Sequence, residues 1–498
     1  MVLPMNESPA TDGTEVLDQL KRLLRIVQEF EPGEGGEGLA DVVSAHLGVP
    51  AHGLPVIAEE VPGHRYVDVD IALERIAGRD PEARLAGIGG GDARYHMDLA
   101  DMIQPATRGW QRFPLAQVDY VNVATGPDSE RAAVGIGVRL FRYAESPVAV
   151  LQRRAMPQRG RSAGSLELLC PDRHTAAALL EEVRESALAG SVLRGQIVTF
   201  QSSGYEPSAD GITFVARPTL TAGEVILPDG VLARVEDHVV GIAQHAAELA
   251  ARGQHLKRGV LLYGPPGSGK THTVRYLLST TPRHTVVLLA GATLQYVGTA
   301  AKLARALQPA IVVLEDCDLI AEDRDLGFGA KPLLFEVLDA MDGLDADADV
   351  TFLLTTNRVD AMEHALAQRP GRVDLAIEVP LPDEAGRLDL LRLYAPAGVF
   401  GEDVLAETAA RTEGTTASFA KELIRRAVLA AATAGEELGD DHLVAATDRI
   451  LDDSERLSRA LLGVSDADGS EGVAEFEAGA PAPHRARRGG GWIAHRTH

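Results

Sequence analysis

The chain is poor in sulfur, in aromatic rings and in positive charge. Its two cysteines, Cys170 and Cys317, exclude a disulfide framework and fit a reducing compartment. Aromatic residues make up only 4% of a chain that is 45% hydrophobic, so leucine, valine and alanine must fill the cores. With 48 Lys and Arg against 72 Asp and Glu, the net charge of −24 repels phosphate backbones and argues against nucleic acid as the default partner. No apolar run reaches the ~18 residues a bilayer span needs. Met1–Gly13 lacks the basic-then-apolar pattern of a signal peptide. The expectation is a cytoplasmic protein with no membrane partner, and 498 residues predict two or three domains.

The pattern along the chain divides it. Residues 1–117 read as mostly helical: Val16, Leu20, Leu23, Val27 and Phe30 recur at helical steps after the capping residue Asp12, and further helical pieces fall near Leu39–Leu47 and Val69–Ile76. Gly87–Gly91 (G-I-G-G-G) reads as a loop. Residues 118–217 read as an α+β domain, with short β-prone runs, an amphipathic helix at Thr175–Leu188 and strands at Gln196–Phe200 and Ile212–Val215. A linker and a leading helix fill 218–258. From 259 to 383 apolar runs alternate with helical stretches, the pattern of a parallel sheet covered on both faces. Residues 384–462 are helical and alanine-rich, and 463–498 lack apolar periodicity and read as disordered.

Chemistry concentrates in the fourth region. Val260–Tyr263 is followed by G-P-P-G-S-G-K-T, Gly264 to Thr271, and then by a helical stretch. Glycines at these positions let backbone N–H groups converge on a phosphate, a lysine adds charge and a Thr hydroxyl is placed for Mg²⁺. The candidate nucleotide-binding residues are Gly264, Pro265, Pro266, Gly267, Ser268, Gly269, Lys270, Thr271 and the next residue, His272. About 45 residues on, the apolar run Ile311–Leu314 ends in Glu315 and Asp316. Two carboxylates at the carboxyl end of a buried strand suit a Mg-nucleotide site, one holding the metal shell and the other polarising the attacking water. Thr355-Thr356-Asn357 ends the next strand, where Asn357 can orient that water. Arg369-Pro370-Gly371-Arg372 can project two guanidinium groups from a rigid turn toward a phosphoryl-transfer transition state.

These four segments, in this order, resemble the AAA family of ATPases, over about Ile226–Leu462. That resemblance implies an α/β fold: a P-loop parallel-sheet ATPase core with a helical lid, preceded here by an α+β amino-terminal region. It implies that Lys270 and Thr271 bind ATP and Mg²⁺, that Glu315 joins Thr271 at the metal, and that Asn357 is a sensor. Arg369 and Arg372 would act in trans on a neighbouring subunit's nucleotide, which requires self-assembly into a ring, a homohexamer in most of the family. Thr412–Ala427 resembles the start of the lid helix that contacts adenosine. In Gln295-Tyr296-Val297-Gly298, Tyr296 and Val297 resemble the pore residues with which the family's unfoldases grip polypeptide, and Gly327-Phe328-Gly329 resembles a second pore loop. Two departures stand out. The acids run Glu then Asp, the reverse of the usual order, and Gln368 is an extra residue before Arg369.

The function this implies is ATP hydrolysis coupled to remodelling or threading of a protein substrate, with a substrate or adaptor as partner. A nucleotide-dependent assembly switch without threading is the alternative. DNA remodelling is disfavoured by charge, although the R-A-R-R stretch near the end is basic. No H-E-x-x-H zinc motif follows the ATPase segments, and the final Arg496-Thr497-His498 lacks the hydrophobic-Tyr-X ending of proteasomal ATPases.

Overall fold

In the computed structural model, the described residues are 38–104, 113–202, 207–317, 347–358 and 373–452, with single positions between 337 and 345. The helix expected at Asp12–Phe30, the second pore loop at Gly327–Gly329, Gln368, Arg369, Arg372 and the expected tail 463–498 lie outside them.

The amino-terminal unit is a sheet with helices on both faces. Its elements are α1 (Leu39–Leu47), β1 (Ile57–Val61), α2 (Tyr66–Ala77), β2 (Arg84–Ile88), β3 (Leu115–Ala116), β4 (Asp119–Gly126), β5 (Ser129–Tyr143), β6 (Ser146–Arg153), β7 (Gly164–Leu169) and α3 (Arg173–Ala189). The strands run β1-β7-β6-β5-β2-β3, with β4 on the other part of β5. Side-chain alternation along the strands builds two cores. Ile136, Val138, Leu140, Ala149 and Leu151 meet α1 through Leu39, Val43 and Leu47. Ala133, Phe141, Val148 and Val150 meet α2 and α3 through Leu73, Ile76, Leu179 and Val183.

This grouping differs from the division at 117/118 read from sequence. The region expected to be mostly helical supplies β1, β2 and β3 to the same sheet as β4–β7. Part of the G-I-G-G-G run is strand: a Cβ on Gly87 would fall 1.8 Å from the Gln117 carbonyl oxygen, so this glycine serves close backbone approach in pairing with β3.

The second sheet carries the motifs. It holds β8 (Ile197–Ser202), β9 (Pro207–Val215), β10 (Arg258–Tyr263), β11 (Thr285–Ala290), β12 (Ala310–Glu315), β13 (Val350–Thr356) and β14 (Leu375–Glu378), in the order β14-β10-β13-β12-β11-β8-β9. All pairings are parallel except that of the β8–β9 hairpin. Helices α4 (Lys270–Thr280) and α5 (Val297–Ala306) cross between strands, as parallel connections require. Val260, Leu262, Val274 and Leu277 pack on one face, and Leu261, Val287, Leu289 and Ala300 on the other. The β8–β9 hairpin, which the sequence grouped with the preceding domain, therefore belongs to this sheet.

The helical run Val231–Ala251 is interrupted by a wider turn at Asp237–Gly241. A four-helix lid follows the sheet: α6 (Glu384–Tyr394), α7 (Glu402–Arg411), α8 (Ala417–Ala434) and α9 (Asp440–Leu451) pack around Leu390, Leu405, Phe419, Leu423, Leu443 and Ile450. No helix among the described residues is long and apolar enough to cross a membrane.

Candidate functional site

Parallel register brings the expected site residues to one edge. Tyr263 at the end of β10 lies opposite Thr356 of β13, and Leu314 of β12 lies opposite Leu354 of β13. The residues that follow these strand ends, Gly264, Asn357 and Glu315–Asp316, therefore emerge together at the carboxyl edge, where open α/β sheets bind ligands.

The loop Gly264–Gly269 needs its glycines. Gly264, Gly267 and Gly269 have φ of 149°, 76° and 114°. A Cβ on Gly264 would meet the Val379 carbonyl oxygen at 2.2 Å. Lys270, buried at 5% exposure in the first turn of α4, donates from Nζ to the carbonyls of Gly264 and Pro265 at 2.8 Å each. Ser268 Oγ is buried with no hydrogen-bond partner among the described residues, a hydroxyl that a phosphate oxygen could satisfy. Pro265 is half-buried, Pro266 exposed and Thr271 exposed, open to a ligand. His272 instead contacts the Glu224 carbonyl through Nε2 at 2.9 Å, tying the loop to the linker.

The lid closes on this loop. Ser418 N–H reaches the Gly267 carbonyl at 3.4 Å, and a Cβ on Gly267 would lie 3.0 Å from Thr416 Oγ1. Thr416, fully buried, caps α8 by accepting from Phe419 N–H. Two helix amino-termini, of α4 and α8, thus adjoin the loop, a setting that favours anions.

Across the edge, Glu315 ends β12 half-buried. Burial first, and then the neighbouring Asp316 charge, push its carboxyl above the usual range, while Arg275 opposes them. Asp316 is exposed with φ of 52°, and its N–H donates to Thr355 Oγ1 at 3.0 Å. Thr356 Oγ1 accepts from Arg358 N–H at 3.0 Å and shapes the turn that carries the half-buried Asn357.

Tyr296 and Val297 follow the carboxyl end of β11, at the end of the turn Gly291–Tyr296 and the start of α5, and pack against the core of the sheet. Tyr296 is half-buried with its ring 5.4 Å from that of Phe200 in an edge contact, and Val297 is 1% exposed. Phe200, on β8, also meets His64 of the amino-terminal unit. Sequence reading missed Phe200 because nothing local to it indicates which sheet its hairpin joins.

Residues 260–381 match the model of the ATPase family associated with various cellular activities, AAA. This segment is an AAA ATPase domain. The chain is 38% identical to a proteasome-activating nucleotidase of Methanoculleus marisnigri, over 32% of this chain and 41% of that protein. It is 33% identical to the ATP-dependent zinc metalloprotease FtsH 3 of Sphaerobacter thermophilus, over 58% and 60%. A third relative, the 26S proteasome regulatory subunit 10B of Dictyostelium discoideum, is 36% identical over 28% and 38%. The chain thus spans between about two fifths and three fifths of these relatives' own lengths. The expected P-loop core with its helical lid is the AAA architecture seen here.

Proposed function

We propose that this chain assembles into a ring, a homohexamer, that hydrolyses ATP and spends the turnover on remodelling or threading a protein substrate or an adaptor-bound client. One observation carries the reading: register places the phosphate loop, the acid pair and Asn357 on one sheet edge, with the lid resting on the loop. Two relatives, a proteasome-activating nucleotidase and an ATP-dependent zinc metalloprotease, point the same way.

In this reading Gly264–Gly269, Lys270 and Thr271 cradle the triphosphate, His272 braces the loop, and Lys270 leaves its loop carbonyls for the terminal phosphates. Thr271 and Glu315 would hold Mg²⁺, which supplies charge neutralisation to the phosphates when bound. Asp316 polarises the attacking water and Asn357 orients it. Arg369 and Arg372 reach the nucleotide of the adjoining subunit. Two cysteines, Cys170 and Cys317, both buried, suit a cytoplasmic setting.

The test is Lys270→Ala beside Asp316→Asn. Lys270→Ala should lose nucleotide affinity and ring assembly together. Asp316→Asn should keep nucleotide and retain client proteins. Full turnover by a monomer at saturating ATP would defeat the proposal.

The assembly-switch alternative has its own support, since Tyr296 is half-buried on Phe200 and Val297 is buried, rather than both being presented to a pore. Tyr296→Ala discriminates. Threading predicts that client unfolding stops while ATPase persists; unchanged remodelling favours the switch.

A further inference from the structure

The turn that carries the acid pair is held from a neighbouring strand. Asp316 sits in the left-handed region at φ of 52°, a conformation that costs a non-glycine residue energy and needs support. The support comes sideways: its N–H donates to Thr355 Oγ1 at 3.0 Å, crossing from the end of β12 to the end of β13. Thr355 is fully buried and belongs to a strand of seven buried residues, so its hydroxyl has little freedom to reorient.

We infer that Thr355 is a positioning residue: by accepting from the Asp316 amide it fixes the turn that aims Glu315 and Asp316 at the phosphate edge. The inference rests on the proposed hydrolysis at this site and adds to it a group that touches neither nucleotide nor water. A bland role for Thr355, filling a buried strand position, makes the opposite forecast. Valine has the same branched shape and suits a strand at least as well, so replacement would then be harmless or stabilising. If Thr355 positions the acids, valine leaves the strand intact and frees the turn.

The experiment compares the full-length ring with Thr355→Val and Thr355→Ser. Four readouts are used: ATPase rate against ATP concentration, affinity for a fluorescent ADP, thermal melting, and hydrogen exchange of the peptide containing Asp316. Thr355→Val should lower kcat by roughly three- to tenfold, the loss that one net hydrogen bond supports. KM and nucleotide affinity should stay within about twofold, because ground-state binding is untouched. Melting should hold or rise, and the Asp316 amide should exchange faster. Thr355→Ser, which keeps the hydroxyl, should restore both rate and protection. Unchanged kcat in Thr355→Val, a joint fall of affinity and melting, or a serine variant as slow as valine would each overturn the inference. Should the wild-type ring bind nucleotide without turning it over, the proposed hydrolysis fails, while exchange at Asp316 still decides the role of Thr355.

Discussion

Replacing Gly267 by alanine tests whether lid and phosphate loop act as one site. Gly267 has φ of 76°, and an alanine there pays about 1–2 kcal/mol for the left-handed backbone. Its Cβ would also sit 3.0 Å from Thr416 Oγ1 and 3.2 Å from Ser418 Oγ, so the start of α8 must retreat by a few tenths of an ångström. Together the two effects amount to about 2 kcal/mol against the closed arrangement, or roughly a 30-fold loss of nucleotide affinity. Titration with a fluorescent ADP measures it. Gly269→Ala is the comparison, because φ there is 114° and nothing lies within 4 Å of its added methyl. It carries backbone strain without the lid contact. Adding Ser418→Ala removes one crowding oxygen, and should recover part of the loss in Gly267→Ala and none in Gly269→Ala. Wild-type affinity in Gly267→Ala, or equal recovery in both backgrounds, would refute the reasoning.

Three further outcomes are expected. Burial holds His238 and His284 below the ordinary imidazole value of about 6.5, so the unfolded chain takes up protons before the folded one. Stability should therefore be full above that value and decline as pH falls below it; denaturant midpoints at pH 7.5 and 5.5 that do not differ in this direction would contradict the assignment. Arg258 is buried and donates to Leu256 and Val239 carbonyls and to Asp349, so Arg258→Met should cost about 3–5 kcal/mol in equilibrium unfolding by stranding its partners. Phe200→Ala should cost about 3–5 kcal/mol and hasten limited proteolysis between the two sheets, because it empties a buried position touching both Tyr296 and His64.

The ATPase sheet was legible because its central strands are buried on both faces. Val260–Tyr263, Val286–Ala290 and Ile311–Leu314 are continuous apolar runs broken by loop chemistry, and each lies within the observed strand. The phosphate loop announces itself because several of its positions admit only glycine. The amino-terminal unit hid its strands for the converse reason. Ile57-Ala-Glu-Glu-Val is an edge strand with two acids, and β2 holds Gly87 and runs straight into Gly89–Gly91, a stretch that resembles a loop. Pairing was harder still to read. Thr355 and Asp316 lie 39 positions apart, and β8 pairs with β11 across two intervening strands and the helices between them. Such long-range choices leave no local periodicity to find.

The hairpin that extends the ATPase sheet alters how motion could spread. Ile197–Thr199 bond to Val286–Leu288, while just upstream buried Asp68 accepts from Ser191 Oγ and Val192 N–H. Arg217, just after the hairpin, donates to carbonyls of Leu278 and Thr281 at the far end of α4, and to those of Gly195 and His284. The amino-terminal unit is thus joined to the ATPase sheet by hydrogen bonds as well as by the chain. A displacement of that sheet therefore acts on the amino-terminal unit through these hydrogen bonds.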